Sequence, residues 1–262
     1  MKIAAIIILA ILGGALYVPL NVFIRRLIAK VISADDYDED VDGLMTKEEK
    51  KAAEERKVLE KEKLKIGMKA VFEESKARFI AIVIIGVVLG GLVGYQFGLS
   101  FETIIYFLFF MLLTVIAFVD MATMEIPPML NLAILVLGII SIFVTPEITI
   151  VQRLIGLVCV SGFMTIFALI MNGFGFGDIK LMAAAGFLLG WKGILTSFIF
   201  GLFMGAAIGI ILMARKKKGG REHMPFGPSL CAGLVAATLF GSQLVDWYIH
   251  IIKLAMPNTF PQ

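Results

Sequence analysis
Cysteine, histidine, tryptophan and charge are all scarce in this 262-residue chain. It has two cysteines, two histidines and two tryptophans, and charged residues make up 17%. Cys159 and Cys231 lie in separate apolar stretches and there is no CxxC. That excludes a disulfide framework and a cysteine-based zinc site. His223 and His250 belong to no HExxH pattern, so no histidine metal site is expected, and His223 reads as a loop residue. The shortage of charge is the most informative absence. Soluble domains carry about 25% charged and roughly 45–50% apolar residues, whereas this chain is 59% hydrophobic with a mean hydropathy of +0.93. A water-soluble globular protein and a disordered one are both ruled out. A net charge of +3 implies no nucleic-acid partner. No internal repeat is visible.

What the chain does have is a series of long apolar runs. A bilayer core of about 30 Å needs about 20 helical residues. By that measure the runs predict an all-α polytopic membrane protein of about eight spans, near 3–24, 79–97, 103–119, 128–145, 151–171, 179–190, 193–214 and 227–252. The sixth is short: at 1.5 Å per residue its helix is only about 18 Å long. It reads as a short helix packed inside protein, which is tolerated at membrane depth. The first run has no small-x-small cleavage site over 17–26, so it reads as an anchor rather than a cleaved leader. Between the first and second runs the composition changes. Asp35, Asp36, Asp38, Glu39, Asp40 and Asp42 form an acidic loop, and a Lys/Glu-rich stretch follows to Arg78. Its strong helix formers predict a charged helix leading into the second span.

The basic residues set an orientation. With the N-terminus outside, alternation places 25–78, 120–127, 172–180 and 214–226 on the cytoplasmic side, and these hold 20 of the 24 lysines and arginines. Lys2, Arg153, Lys192 and Lys253 remain for the other side. The run Arg215-Lys216-Lys217-Lys218 reads as a topology anchor that meets anionic lipid.

Topology also brings two carboxylates to the same depth. Asp120 ends the third run and Asp178 precedes the sixth, both at the cytoplasmic face, although they are 58 residues apart in sequence. Glu102 and Glu147 fall in outside loops, and Asp246 lies near the outer end of the last span. An ionisable residue at membrane depth is a candidate for function. Two neighbouring carboxyls share a proton, so one acts as base and the other as acid on a single water. That is the chemistry of aspartic peptide hydrolysis, and it needs no Ser or Cys nucleophile. The plain alternative is that each Asp caps a helix or pairs with a cation.

Three stretches surround these positions. Asn172-Gly173-Phe174-Gly175-Phe176-Gly177-Asp178-Ile179-Lys180 has glycines at alternate positions. They permit unwound backbone and close approach of another chain, with Asp178 at a helix start. No GK[ST] follows and the spacing is not GxGxxG, so this is not a phosphate loop. Asp120-Met121-Ala122-Thr123-Met124-Glu125-Ile126-Pro127-Pro128 ends in prolines that force a turn. Pro225-Phe226-Gly227-Pro228 leads into the last span from the same side, with irregular backbone suited to holding an extended peptide.

Together these stretches resemble the type IV prepilin peptidases, which are GxGD-type aspartic membrane proteases. The resemblance rests on Asp120 with Ile126-Pro127, on Gly175-Phe176-Gly177-Asp178-Ile179-Lys180-Leu181 and on Pro225-Phe226-Gly227-Pro228. Leu20-Asn21-Val22-Phe23-Ile24-Arg25-Arg26-Leu27 adds a match at the end of the first span. It implies removal of a basic leader from prepilins and pseudopilins, cut after a glycine at the cytoplasmic face of the inner membrane. Asp120 and Asp178 are the implied catalytic pair. Gly175, Gly177, Lys180, Glu125, Pro225, Phe226, Gly227 and Pro228 are the expected binding or supporting residues, with no metal. The implied division is a first transmembrane helix at 1–29, a charged cytoplasmic segment at 30–78 and a transmembrane peptidase domain at 79–262. Many members of the family also methylate the new N-terminus from S-adenosylmethionine, using a domain with paired CxxC motifs. Residues 30–78 contain no cysteine, so neither zinc nor S-adenosylmethionine is expected as a cofactor. The competing readings are a preflagellin or presenilin-like protease with the same dyad, a proton-coupled transporter, and a structural assembly factor. The transporter reading suffers from the missing repeat and from carboxylates grouped near one face.

Overall fold
The structure, a computed structural model, describes residues 2–35, 75–171, 175–215 and 225–255. Most of the acidic loop, most of the Lys/Glu-rich stretch, Asn172-Gly173-Phe174, the basic run from Lys216 and His223 lie outside the described residues. The side chains of Asp246 and His250 lie outside them too. Every described element is helical: α1 (Lys2–Asp35), α2 (Ser75–Phe97), α3 (Phe101–Thr123), α4 (Pro128–Val144), α5 (Ile150–Met171), α6 (Phe176–Arg215) and α7 (Gly227–Ala255). Five are long and apolar enough to cross a membrane, and α4 and the first part of α7 are shorter apolar helices. The all-α polytopic expectation holds. Helices α1 and α2 run several residues further into the charged segment than the apolar runs alone suggested. Glu102 sits in the first turn of α3 rather than in a loop.

Helix α6 contains a reversal. Its apolar part spans 35 residues, about 52 Å of helix, well beyond a core of about 30 Å. Gly190 interrupts it with φ 71 and ψ 174, a backbone shape open to glycine. Before Gly190 the packing climbs α5 towards its start, since Gly186 lies on Gly156 and Gly190 lies beside Ile148 and Gln152. After it the packing descends, with Phe198 edge-on to Phe163 at 6.0 Å. The chain therefore turns back at Gly190, at the boundary expected between the sixth and seventh runs.

Packing follows sequence order. Helix α1 lies along α2 through a glycine seam in which Gly90 faces the Leu9 carbonyl and Gly13 faces the Gly86 carbonyl. Small residues let membrane helices approach closely where water supplies no hydrophobic drive between them. Helix α3 lies at the centre and touches α1, α2, α4 and α7. Phe109, Phe110, Ile116 and Val119 of α3 are fully buried. Tyr17 of α1 shares a 3.2 Å hydrogen bond with Thr114 of α3, which fixes their register. Helix α6 packs on α4, α5 and α7.

Arg153 is completely buried. Its sequence position had suggested a cation left at the far face. Its guanidinium binds the C-terminal end of α4 and the end of the first arm of α6. It donates to the Ser141 and Thr145 hydroxyls at 2.7 Å each, to the Thr145 carbonyl at 3.1 Å, and to the Phe187 and Leu188 carbonyls at 3.2 and 3.1 Å. Carbonyls left open at helix ends need donors, and a cation there is favoured by the helix dipole.

Candidate active site
Asp120 sits in the last turn of α3. That helix begins at a capping box in which Ser100 and Thr103 exchange side-chain hydrogen bonds, and it ends at Met124, whose N–H donates to the Asp120 carbonyl at 2.8 Å. Met124 has φ 57, the left-handed region, and is the one non-glycine residue with positive φ among the described residues. Such a conformation is disfavoured for a side-chain-bearing residue. It turns the chain sharply, and Pro127 and Pro128 then start α4. The turn buries Ile126 against Gly177, where an added Cβ would come within 3.0 Å of the Ile126 Cβ.

That contact brings in the second carboxylate. Asp178 lies in the first turn of α6. Gly175 precedes the helix, and its backbone lies beside Asp178 Oδ2. The Ile179 N–H donates to the Gly175 carbonyl at 3.3 Å. Gly177, expected in unwound backbone, lies inside the first helical turn. Asp120 is 4% exposed and Asp178 is 8% exposed, and each lies within electrostatic range of the other. The two carboxylates come from different helices, α3 and α6.

Helix α7 forms the third wall. Its first residue, Gly227, donates its N–H to Asp120 Oδ2 at 3.0 Å. An added Cβ at Gly227 would lie 2.6 Å from that oxygen, so no larger residue fits with Asp120 in place. Pro228 occupies the first turn, where its missing N–H costs nothing. Phe226 packs over Gly205. One turn on, Cys231 is buried within electrostatic range of both carboxylates. Sequence reasoning had not connected it to them, although its spacing of four from Gly227 was the available signal.

The remaining expected residues divide. Gly175 and Gly177 lie beside Asp178, Gly227 lies against Asp120, and Pro225, Phe226 and Pro228 flank Gly227 along the chain. Lys180 is exposed on the wall of a groove of about 480 Å³, with Met129, Asn131, Leu132, Leu157 and Ala184 among its other lining residues. Glu125 is exposed in the turn after α3, with its N–H bonded to the Thr123 hydroxyl at 3.3 Å. No group of three or more metal-ligating side chains occurs among the described residues. The two cysteines lie on α5 and α7, so the residues present do not make a thiolate zinc site. Asn131, missed by sequence reasoning, donates its amide to the Gly177 carbonyl at 3.3 Å.

The fold and site define a polytopic all-α membrane protein with two buried carboxylates at one end of its bundle. Residues 107–210, which carry both Asp120 and Asp178, match the type IV leader peptidase family. The chain is similar to the prepilin leader peptidase/N-methyltransferase of Bacillus subtilis, 31% identical over 159 residues covering 60% of this chain and 64% of the relative. The Legionella pneumophila protein of the same name is 28% identical over 161 residues, covering 59% and 56%. That of Stutzerimonas stutzeri is 27% identical over 172 residues, covering 63% and 60%. The alignments thus span less than two thirds of these relatives' own lengths. No solved structure matches the chain.

Proposed function
We propose that this protein is a membrane aspartic endopeptidase that removes the basic leader from type IV prepilins and pseudopilins, cutting after a glycine that precedes an apolar helix. The observation that supports this reading is that Asp120 and Asp178, on separate helices, are both buried within electrostatic range of each other with glycines beside them. One carboxylate takes a proton from a water, whose oxygen attacks the scissile carbonyl. The other, protonated, gives its proton to the carbonyl oxygen as the tetrahedral intermediate forms. As that intermediate collapses, the C–N bond breaks and the leaving amine takes up a proton held by the pair. The Gly227 N–H holds Asp120 in position at the start of α7.

In this reading the chain crosses the inner membrane about eight times, counting the two arms of α6 separately. The N-terminus is outside and the dyad is at the cytoplasmic face, as the Lys/Arg asymmetry favours. The name of the relatives includes a methyltransferase. The peptidase reaction alone is assigned to this chain, because residues 30–78 have no cysteine. The test is cleavage, in membranes, of a substrate with a basic leader and Gly before an apolar helix, with mass analysis of the product. The parent should cut after the glycine and leave an unmethylated N-terminus. Asp120→Asn and Asp178→Asn should each lose about 10³-fold or more. Full activity in either variant would remove that residue from the mechanism.

A further inference from the structure
Among the described residues, three buried side-chain oxygens have no hydrogen-bond partner: those of Asn21, Asn131 and Asp178. Such atoms are rare in folded proteins and call for an explanation. Two of the three flank one backbone group, the Gly177 carbonyl. Asp178 is the next residue along the chain from it, and the Asn131 amide donates to it at 3.3 Å. Asn131 is 6% exposed, on the first turns of α4, and also lines the 480 Å³ groove. Because its partner is a carbonyl, the amide nitrogen must face Gly177, which settles the orientation of the side chain. This bond crosses from α4 to α6, beside the apolar contact of Ile126, in the turn before α4, on Gly177.

We infer that Asn131 is a positioning residue for the peptidase reaction: its amide holds the Gly177 carbonyl, and through it the Asp178 carboxylate, at the working distance from Asp120. The role rests on the peptidase reading above. Glycine at a helix start imposes little on its backbone, and apolar contacts are non-directional and do not fix its rotation. One directional bond at the residue before the catalytic Asp does. The tether acts on the reacting geometry rather than on binding of the leader or the apolar helix. Its removal should therefore appear in kcat.

The experiment compares the full-length parent with Asn131→Leu, Asn131→Ser and Asn131→His in membranes, using a leader-bearing substrate, with kcat and KM measured separately. Leu keeps the shape without the donor. Ser leaves room at the groove wall and guards against a variant that fails to fold. His returns an N–H near the position of the amide nitrogen. The expected result is a fall in kcat of about 100-fold for Leu and Ser with KM within about twofold, and recovery to within about tenfold of the parent for His. A parent that cuts while Leu or Ser retains its kcat overturns the role of Asn131 and leaves the peptidase reading standing. Loss of activity in all three variants in proportion to lost folded protein also overturns it, since that is a packing role. A parent inert on every leader tested overturns the peptidase reading, and this role with it.

Discussion

The bundle buries charged side chains at both ends and treats them in opposite ways. At the Arg153 end, all three guanidinium nitrogens are bonded, and the acceptors are hydroxyls and carbonyls at the end of α4, in the loop before α5 and just before Gly190. At the Asp120–Asp178 end, two buried carboxylates lie within electrostatic range of each other, with one backbone N–H on Asp120 and an oxygen of Asp178 without a partner among the described residues. A buried polar group that is fully bonded rigidifies what it touches, whereas one left short of partners is costly. The first end joins α4, α5 and the Gly190 reversal. The second leaves hydrogen-bonding capacity unused, which the proposed peptidase reaction would draw on. A buried charge in this protein is thus read by its saturation, not by its burial.

The widest separation between the ends should come from the dyad. Asp120→Asn and Asp178→Asn should lose about 10³-fold or more in cleavage with no loss of folded protein, checked by melting of the detergent-solubilised chain. Next comes Arg153→Met, which leaves carbonyls without donors. It should cost about 3 kcal/mol of stability, read as a lowered melting midpoint, while the folded fraction keeps its turnover per molecule. Gly227→Ala brings the comparison to a single atom. Its Cβ would displace the Asp120 carboxylate, so kcat should fall by about 100-fold with little change in melting. The smallest effect is expected far from both ends. Gly90→Ala pushes a methyl at the Leu9 carbonyl in the α1–α2 seam. It should destabilise by about 2 kcal/mol and leave turnover per folded molecule unchanged.

Much of this was legible in the residues. Apolar runs placed α3, α4 and α5 within a few residues of their observed ends, because a membrane helix is specified by composition over a long window. The pairing of Asp120 with Asp178 came from counting crossings, which converts distance along the chain into depth. The Gly190 turn was legible as a boundary, since the run before it is too short to cross alone. The roles of Arg153 and Asn131 were not legible. A polar residue within an apolar run signals a cost, but its partners lie 34 and 35 residues away for the Phe187 and Leu188 carbonyls and 46 for Gly177. Nothing in local pattern identifies a carbonyl as a partner, because every residue has one. Cys231 was missed because an apolar stretch is the ordinary place for a buried thiol.

The most direct measurement sets one variant from each end side by side: melting midpoint and leader-cleavage turnover for Asp178→Asn and Arg153→Met, prepared identically. The expected result is a crossed pattern. Asp178→Asn melts at or above the parent and does not cut, while Arg153→Met melts well below it and cuts normally while folded. If Asp178→Asn instead melts early and keeps activity in proportion to its folded fraction, then Asp178 is a structural residue and the division between the two ends is wrong.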